Sequence, residues 1–280
     1  MIKARILLSI LAAQILAVGA VAAPTHSFDE STGTIIDQRW QSGLPLGGIG
    51  AGKIELMTDG AFGDFTNQHN WDRPYAWAKG AFGVIRVQSA GGTVLRVLRL
   101  KGDNEYAGVQ NIAHTRMQGW FPRATIDYSD PDLPVTVRLN AFSPLIPHNA
   151  KDSGLPVACL NYVVTNTSDR AVKTTIALAW PNLIGWGGDG DVAYKDLSGD
   201  SQYSTTVGAL AGLRYSSTKS YSNRQENTIG NDFVGVRQEP GTTVSTCSSW
   251  DVADATPAFW NSFSASGKLP PTSSRSKSVV

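Results

Sequence analysis

The segment Gly47-Gly48-Ile49-Gly50-Ala51-Gly52-Lys53 satisfies G-x-x-x-x-G-K, the spacing with which a loop cradles phosphates on its backbone N–H groups. That chemistry needs a Ser or Thr at the next position to hold Mg²⁺ and a buried strand before the loop. Ile54 stands at the first place, and Leu44-Pro45-Leu46 sets a proline in the second. A dinucleotide fingerprint fails too, because after Gly48-Ile49-Gly50 its last glycine would fall at Lys53. The glycines are therefore expected to be architectural, allowing positive φ or close backbone packing at a β-turn or bulge.

Other catalytic patterns are equally incomplete. No G-x-S-x-G elbow occurs, and the four histidines, His26, His69, His114 and His148, lack the H-E-x-x-H spacing of a zinc site, so no metal or cofactor is expected. Asp189, Asp191, Asp196 and Asp200 crowd a glycine-rich stretch in a way that suggests calcium ligands, but Ala193 and Tyr194 fall where an EF-hand needs a ligand and the turn glycine. A solvated loop is the expectation there. Glycoside hydrolysis uses two carboxylates about 5–5.5 Å apart in retaining enzymes, drawn from distant parts of a chain. The Asp residues here sit mostly in turn contexts such as Asp127, Asp130, Asp132 and Asp152, and no catalytic pair is nominated.

Sugar rings stack their C–H faces on flat side chains beside polar groups. Trp71, Asp72, Arg73, Tyr75 and Trp77 form one cluster of that composition, and Asn182 with Trp186 a second. Trp71, Asp72, Trp77 and Trp186 are the candidate sugar contacts; the alternative is that these aromatics pack the core and edges of a sandwich.

The 280 residues carry a formal charge of +1. Lys3 and Arg5, the apolar run from Ile6 to Val21 and Ala20-Val21-Ala22 make a secretory leader with an A-x-A cleavage site, so residues 1–22 are expected to be removed and the product to be secreted or periplasmic. Losing Lys3 and Arg5 brings the charge to −1, with no bias toward nucleic acid. Residues 23–280 suffice for one large β domain. Cys159 and Cys247 are the only cysteines, and export would permit a disulfide; buried free thiols are the equal alternative.

Short extended runs broken by Gly, Pro, Asn, Asp and Ser predict an all-β fold, a large antiparallel β-sandwich. Residues 82–87 and 93–98 flank Ser89-Ala90-Gly91-Gly92 as a hairpin, with Arg86 and Arg96 alternating with apolar neighbours. Val135, Val137 and Leu139 share a core face opposite Thr136, Arg138 and Asn140. Residues 160–164 and 174–180 are expected to form another hairpin across the polar turn Asn166–Arg170. Residues 267–278 look like a loop reaching toward another strand.

Chain order adds what single motifs lack. Residues 43–54, then Asp59-Gly60-Ala61-Phe62-Gly63-Asp64-Phe65 and Asn67, resemble the opening signature of family 116 glycoside hydrolases, the β-glucosidase and non-lysosomal glucosylceramidase family. Trp120-Phe121-Pro122-Arg123-Ala124 is similar to a second landmark, and Pro144-Leu145-Ile146-Pro147-His148-Asn149 with Asp152-Ser153-Gly154-Leu155-Pro156-Val157 to a third. Trp260, Asn261, Phe263, Gly267 and Leu269 resemble a fourth. The resemblance implies an N-terminal sandwich, incomplete at its C-terminal end in this chain, that packs against an (α/α)₆ catalytic barrel absent from it. It also implies a retaining β-glycosidase acting on a β-glucoside or related carbohydrate, with both catalytic carboxylates in the barrel. The chain alone is expected to be inactive, and a stand-alone carbohydrate-binding or interaction sandwich is the alternative.

Overall fold

The computed structural model describes residues 2–9, 34–35, 43–66, 75–77, 80–100, 109–184, 200–217, 230–249, 257–270 and 276–277. Its strands begin with β1 (Ile2–Ser9), β2 (Thr34–Ile35), β3 (Leu44–Leu46), β4 (Ile54–Leu56), β5 (Phe62–Phe65) and β6 (Tyr75–Trp77). Next come β7 (Phe82–Ser89), β8 (Gly92–Val97), β9 (His114–Trp120), β10 (Arg123–Ser129), β11 (Val135–Phe142) and the short helix α1 (Ala150–Ser153). Then follow β12 (Val157–Asn166), β13 (Lys173–Ala179), β14 (Asp200–Val207), β15 (Leu210–Ser217), β16 (Asn231–Arg237), helix α2 (Pro257–Ser266) and β17 (Ser276–Lys277).

The fold is all-β and its strand pairs are antiparallel, as the alternation predicts. A large sheet runs β17-β14-β15-β16-β1-β12-β11-β10-β9-β2. Facing it are two small sheets, β3-β4-β5-β6 and β13-β7-β8. Period-two alternation supplies the core between the layers. Ala124, Ile126 and Tyr128 of β10, Val135, Val137, Leu139 and Ala141 of β11, and Ala158, Leu160, Tyr162 and Val164 of β12 line the large sheet's inner face. Leu46, Ile54, Leu56, Phe62, Phe65, Ile85 and Val87 meet them from the small sheets. Trp180, just past β13, joins the two small sheets by edge-on contact with Phe62 and Phe65, at ring separations of 5.3 and 5.6 Å.

The 82–98 hairpin forms as expected, with Val84 opposite Val97 and Ser89 opposite Gly92. The expected hairpin across Asn166 does not. β12 pairs with β11 and β1 in the large sheet, whereas β13 pairs with β7 in the small one. The polar turn is real: Asn166 donates to the Arg170 carbonyl at 2.7 Å and accepts the Ser168 amide at 3.0 Å. It carries the chain from one layer to the other, because both strands are apolar enough to face one core from opposite sides. Ile176 and Leu178 of β13 pack against the same cluster that holds Leu160 and Tyr162.

Sheet β13-β7-β8 is covered on both faces. Its outer face carries Phe82, Val84 and Val97, and α2 lies on it through Phe259, Trp260 and Phe263, which fall on one stripe of the helix. Phe82 and Trp260 stack at 6.3 Å. Gly267 ends the helix in the left-handed conformation at φ 70°, its N–H on the Phe263 carbonyl at 2.8 Å. The alternating arginines of the hairpin are consequently not on a wet face. Arg86, 1% exposed, donates from Nε to the Ser264 carbonyl at 2.7 Å and from its other end to the Ala265 carbonyl at 3.2 Å. A cation thus meets the unpaired carbonyls at the negative end of α2. Arg96 is gripped by Asp130 at 2.8 Å and Asp132 at 2.6 Å, tying β8 to the β10–β11 turn. Replacing Arg86 with Ala strips the last carbonyls of α2 of a charged donor inside the protein. Chemical denaturation is expected to show a loss of about 2–4 kcal/mol, with tryptophan fluorescence reporting detachment of Trp260.

Candidate functional site

Of the candidate sugar contacts, Trp71, Asp72 and Trp186 lie outside the described residues, as do Arg73, Asp189, Asp191, Asp196, His26 and His69; Asp200, expected in a solvated loop, instead opens β14 and is buried. Trp77 closes β6, its backbone opposite Gly63. Asn182 is a structural residue: it receives the Ile184 amide at 3.1 Å and reaches the Ser201 and Ser216 carbonyls at 3.5 and 3.4 Å. Among the described residues no group of three or more His, Cys, Asp or Glu could hold a metal ion.

Among the described carboxylates, Asp130 and Glu55 are committed to architecture. Asp130 accepts from Arg96, from the Asp132 amide at 3.0 Å and from the Ala113 amide at 3.2 Å. Glu55 pairs with Lys53 and accepts the Gly43 amide at 2.9 Å. Asp232 is the exception in its chemistry. It lies in β16 opposite Tyr215, and burial pushes its carboxyl up to about 7. The native state therefore keeps a proton that the unfolded chain releases near pH 4. Stability should fall as pH rises from about 4 to about 7 and level off above that, and Asp232→Asn should flatten this slope in thermal denaturation across the same window.

The open question at the cysteines closes on the thiol side. Cys159 and Cys247 are separate, buried free thiols. Cys159 is on β12 between the inward-facing Ala158 and Leu160, hence on the outer face of the large sheet, while Cys247 packs with Phe82 and Phe263 under α2. The layers between them rule out a bridge, which needs Cα atoms within about 7 Å. Burial raises the Cys159 thiol to about 11 and raises Cys247 as well. A disulfide-exchange reagent should react slowly with the native chain and count two thiols after denaturation without reductant.

The feature that sequence reasoning missed is at one end of the sandwich. Seven large apolar side chains are exposed among the described residues, and six of them, Ile49, Trp120, Phe121, Phe142, Leu145 and Ile146, belong to loops and strand ends that converge there. Their backbones are pinned together. Arg123 pairs with both Trp120 and Phe142 in the sheet register, and the Ser143 amide bonds the Pro122 carbonyl at 3.3 Å. The buried Ser143 hydroxyl accepts the Gly47 amide at 2.7 Å and donates to the Val157 carbonyl at 2.8 Å. Ser153, 1% exposed, holds both the amide and carbonyl of Ile146 at 2.8 and 3.1 Å through its hydroxyl, and its own carbonyl receives the Ile49 amide at 2.9 Å. Asn149 caps α1 by accepting the Asp152 amide at 3.1 Å.

The glycine motif finds its use in this knot. A Cβ on Gly48 would stand 2.4 Å from the Leu155 carbonyl oxygen, so only glycine lets the turn lie against the chain after α1. Gly50 adopts φ 74° at the tip, next to the exposed Ile49.

The residues that build this end are those of the ordered landmarks, and the family model described as beta-glucosidase 2, glycosyl-hydrolase family 116 N-term, matches residues 43–279. The chain belongs to glycoside hydrolase family 116, of which it carries the N-terminal domain. In that setting the family 116 landmarks divide by role. The Trp260-to-Leu269 landmark packs α2 onto the small sheet, whereas the Gly47, Trp120 and Pro144 landmarks build the exposed end face.

Proposed function

We propose that this chain is the non-catalytic N-terminal segment of a secreted retaining β-glycosidase of the β-glucosidase or glucosylceramidase type, and that its end face buttresses a helical catalytic barrel. One observation carries this reading: six large apolar side chains are held out toward solvent by a rigid, hydrogen-bonded knot. Large apolar side chains exposed on hydrogen-bonded backbone favour an interaction surface, since water is released when a partner covers them. Aromatic anchors such as Trp120 and Phe121 are the residue types that dominate binding energy at such surfaces. The resemblance to family 116 supplies the partner, an (α/α)₆ domain bearing the catalytic Glu and Asp, and the leader at residues 1–22 the extracytoplasmic setting. The substrate on this reading is a β-glucoside or related carbohydrate.

The test uses this chain co-purified with a family 116 catalytic barrel and assayed on an aryl β-glucoside. Trp120→Asp combined with Ile146→Asp should lower association and turnover at least tenfold while leaving the thermal midpoint of the isolated chain within a few degrees, because both positions are exposed. Unchanged association would remove the end face from the interface. Turnover by this chain alone, lost on mutating its own carboxylates, would overturn the non-catalytic role. The exposed rings of Trp120 and Phe121 also favour a second reading, a carbohydrate-binding sandwich acting alone. Glycan-array binding lost in Trp120→Ala, or in Trp71→Ala and Trp186→Ala, would select it.

A further inference from the structure

The exposed apolar side chains of the end face are accompanied by basic groups that the chain itself leaves unmet. Arg123 is exposed and stands in register with Trp120 on one side and Phe142 on the other. Met117, Ala124 and Ala141 point into the core, so alternation sets Trp120, Arg123 and Phe142 together on the outer face of the large sheet. Trp120 is 56% exposed and Phe142 42%. His148 and Lys151, also exposed, follow Ile146 in the loop that Ser153 pins.

Among the described residues, no hydrogen bond or ion pair reaches the side chain of Arg123, His148 or Lys151. The carboxylates nearby in the chain are already taken. Asp127, in the same outward series of β10 as Arg123, bonds Arg138 at 2.8 Å. Asp152, beside Lys151, accepts from the Asn149 amide group at 2.7 Å. His148 carries a separate mark. The Ile146 carbonyl accepts the Asn149 amide at 3.0 Å, closing a turn with Pro147 second and His148 third. His148 adopts φ 63°, a conformation that turns favour for glycine or asparagine. A histidine there keeps backbone strain and holds out a ring that can donate a hydrogen bond.

A partner that covers both Trp120 and Phe142 must also cover Arg123, which lies between them. A guanidinium taken out of water with no acceptor is strongly unfavourable. A carboxylate removes that cost best, because two parallel hydrogen bonds match the guanidinium fork. The constraint falls on the partner, since the chain offers Arg123 no acceptor of its own.

We propose that the protein surface docked on the end face is acidic where it meets these groups: one carboxylate pairs with Arg123 between the two aromatic anchors, and further carboxylates face His148 and Lys151. This rests on the reading of the end face as the barrel-docking surface, and it assigns the chemistry of the barrel patch that covers it. The apolar side chains supply affinity, while the charged pairs select the partner and fix its orientation.

The test titrates the full chain with a family 116 catalytic barrel by calorimetry. Arg123→Gln should weaken association about 30-fold or more and Arg123→Glu further, with Arg123→Lys, which keeps the charge but loses the fork, in between. The thermal midpoint of the isolated Arg123→Gln chain should match the parent, because that side chain has no partner to lose. His148→Asn suits the left-handed turn, so it should keep the midpoint yet weaken association about threefold or more. Raising ionic strength from about 0.05 M to about 0.5 M should weaken the parent complex and have less effect on Arg123→Gln combined with Lys151→Gln. Association lost in Trp120→Asp with Ile146→Asp but unchanged in Arg123→Gln would overturn the acidic partner and leave the docking face standing. Association unchanged in both would overturn both.

Discussion

The buried hydroxyl of Ser143 accepts the Gly47 amide and donates to the Val157 carbonyl, so a single side chain at the end of β11 joins the glycine turn to the start of β12. Everything exposed at that end of the sandwich hangs on this clasp and its counterpart at Ser153. Each such bond contributes about 1 kcal/mol, but leaving a buried partner unmade costs more. The knot is therefore held as a unit. Its rigidity explains how Ile49, Trp120, Phe121, Phe142, Leu145 and Ile146 stay outside instead of folding back onto the core, as free loops of that composition would. An apolar surface whose ordering entropy has already been met by folding is well suited to bind a rigid partner.

The small sheet imposes a second constraint. Because β7 and β8 are covered on one side by the core and on the other by α2, their alternation has no solvent face to assign to polar residues. Arg86 and Arg96 are retained there because each guanidinium finds fixed acceptors: the last carbonyls of a helix for one and a pair of carboxylates for the other. Charges so placed add orientation more than net stability. They determine where α2 ends on the sheet and where the β10–β11 turn meets β8.

These features belong to the N-terminal domain of a family 116 glycoside hydrolase. Asp130 holds Arg96 and backbone amides, Glu55 holds Lys53 and the Gly43 amide, and exposed Trp120 and Phe121 lie at one end. Under the proposed function, these properties would contribute surface, rigidity and shape to the whole glycosidase.

The hairpin at residues 89–92, the two faces of β11 and the architectural use of the glycines were legible in the sequence, because each depends on residues close together in the chain: period-two alternation, turn chemistry, and the absence of a side chain at Gly48. The order of the landmarks was legible too, and it carried the family. Which strands pair was not. Residues 160–164 and 174–180 read as a hairpin because a polar turn lies between them, yet local pattern cannot distinguish a turn within a sheet from one that crosses between layers. The same limit hid the burial of Arg86, which depends on a helix some 180 residues later in the chain. It also hid the exposed end face, since Trp120 and Ile146 have the composition of core residues and only the packing of distant loops around Ser143 and Ser153 leaves them in water. Local chemistry in the sequence determined the elements; the competition among apolar faces for one buried interior, settled only when the whole chain is folded, decided their partners.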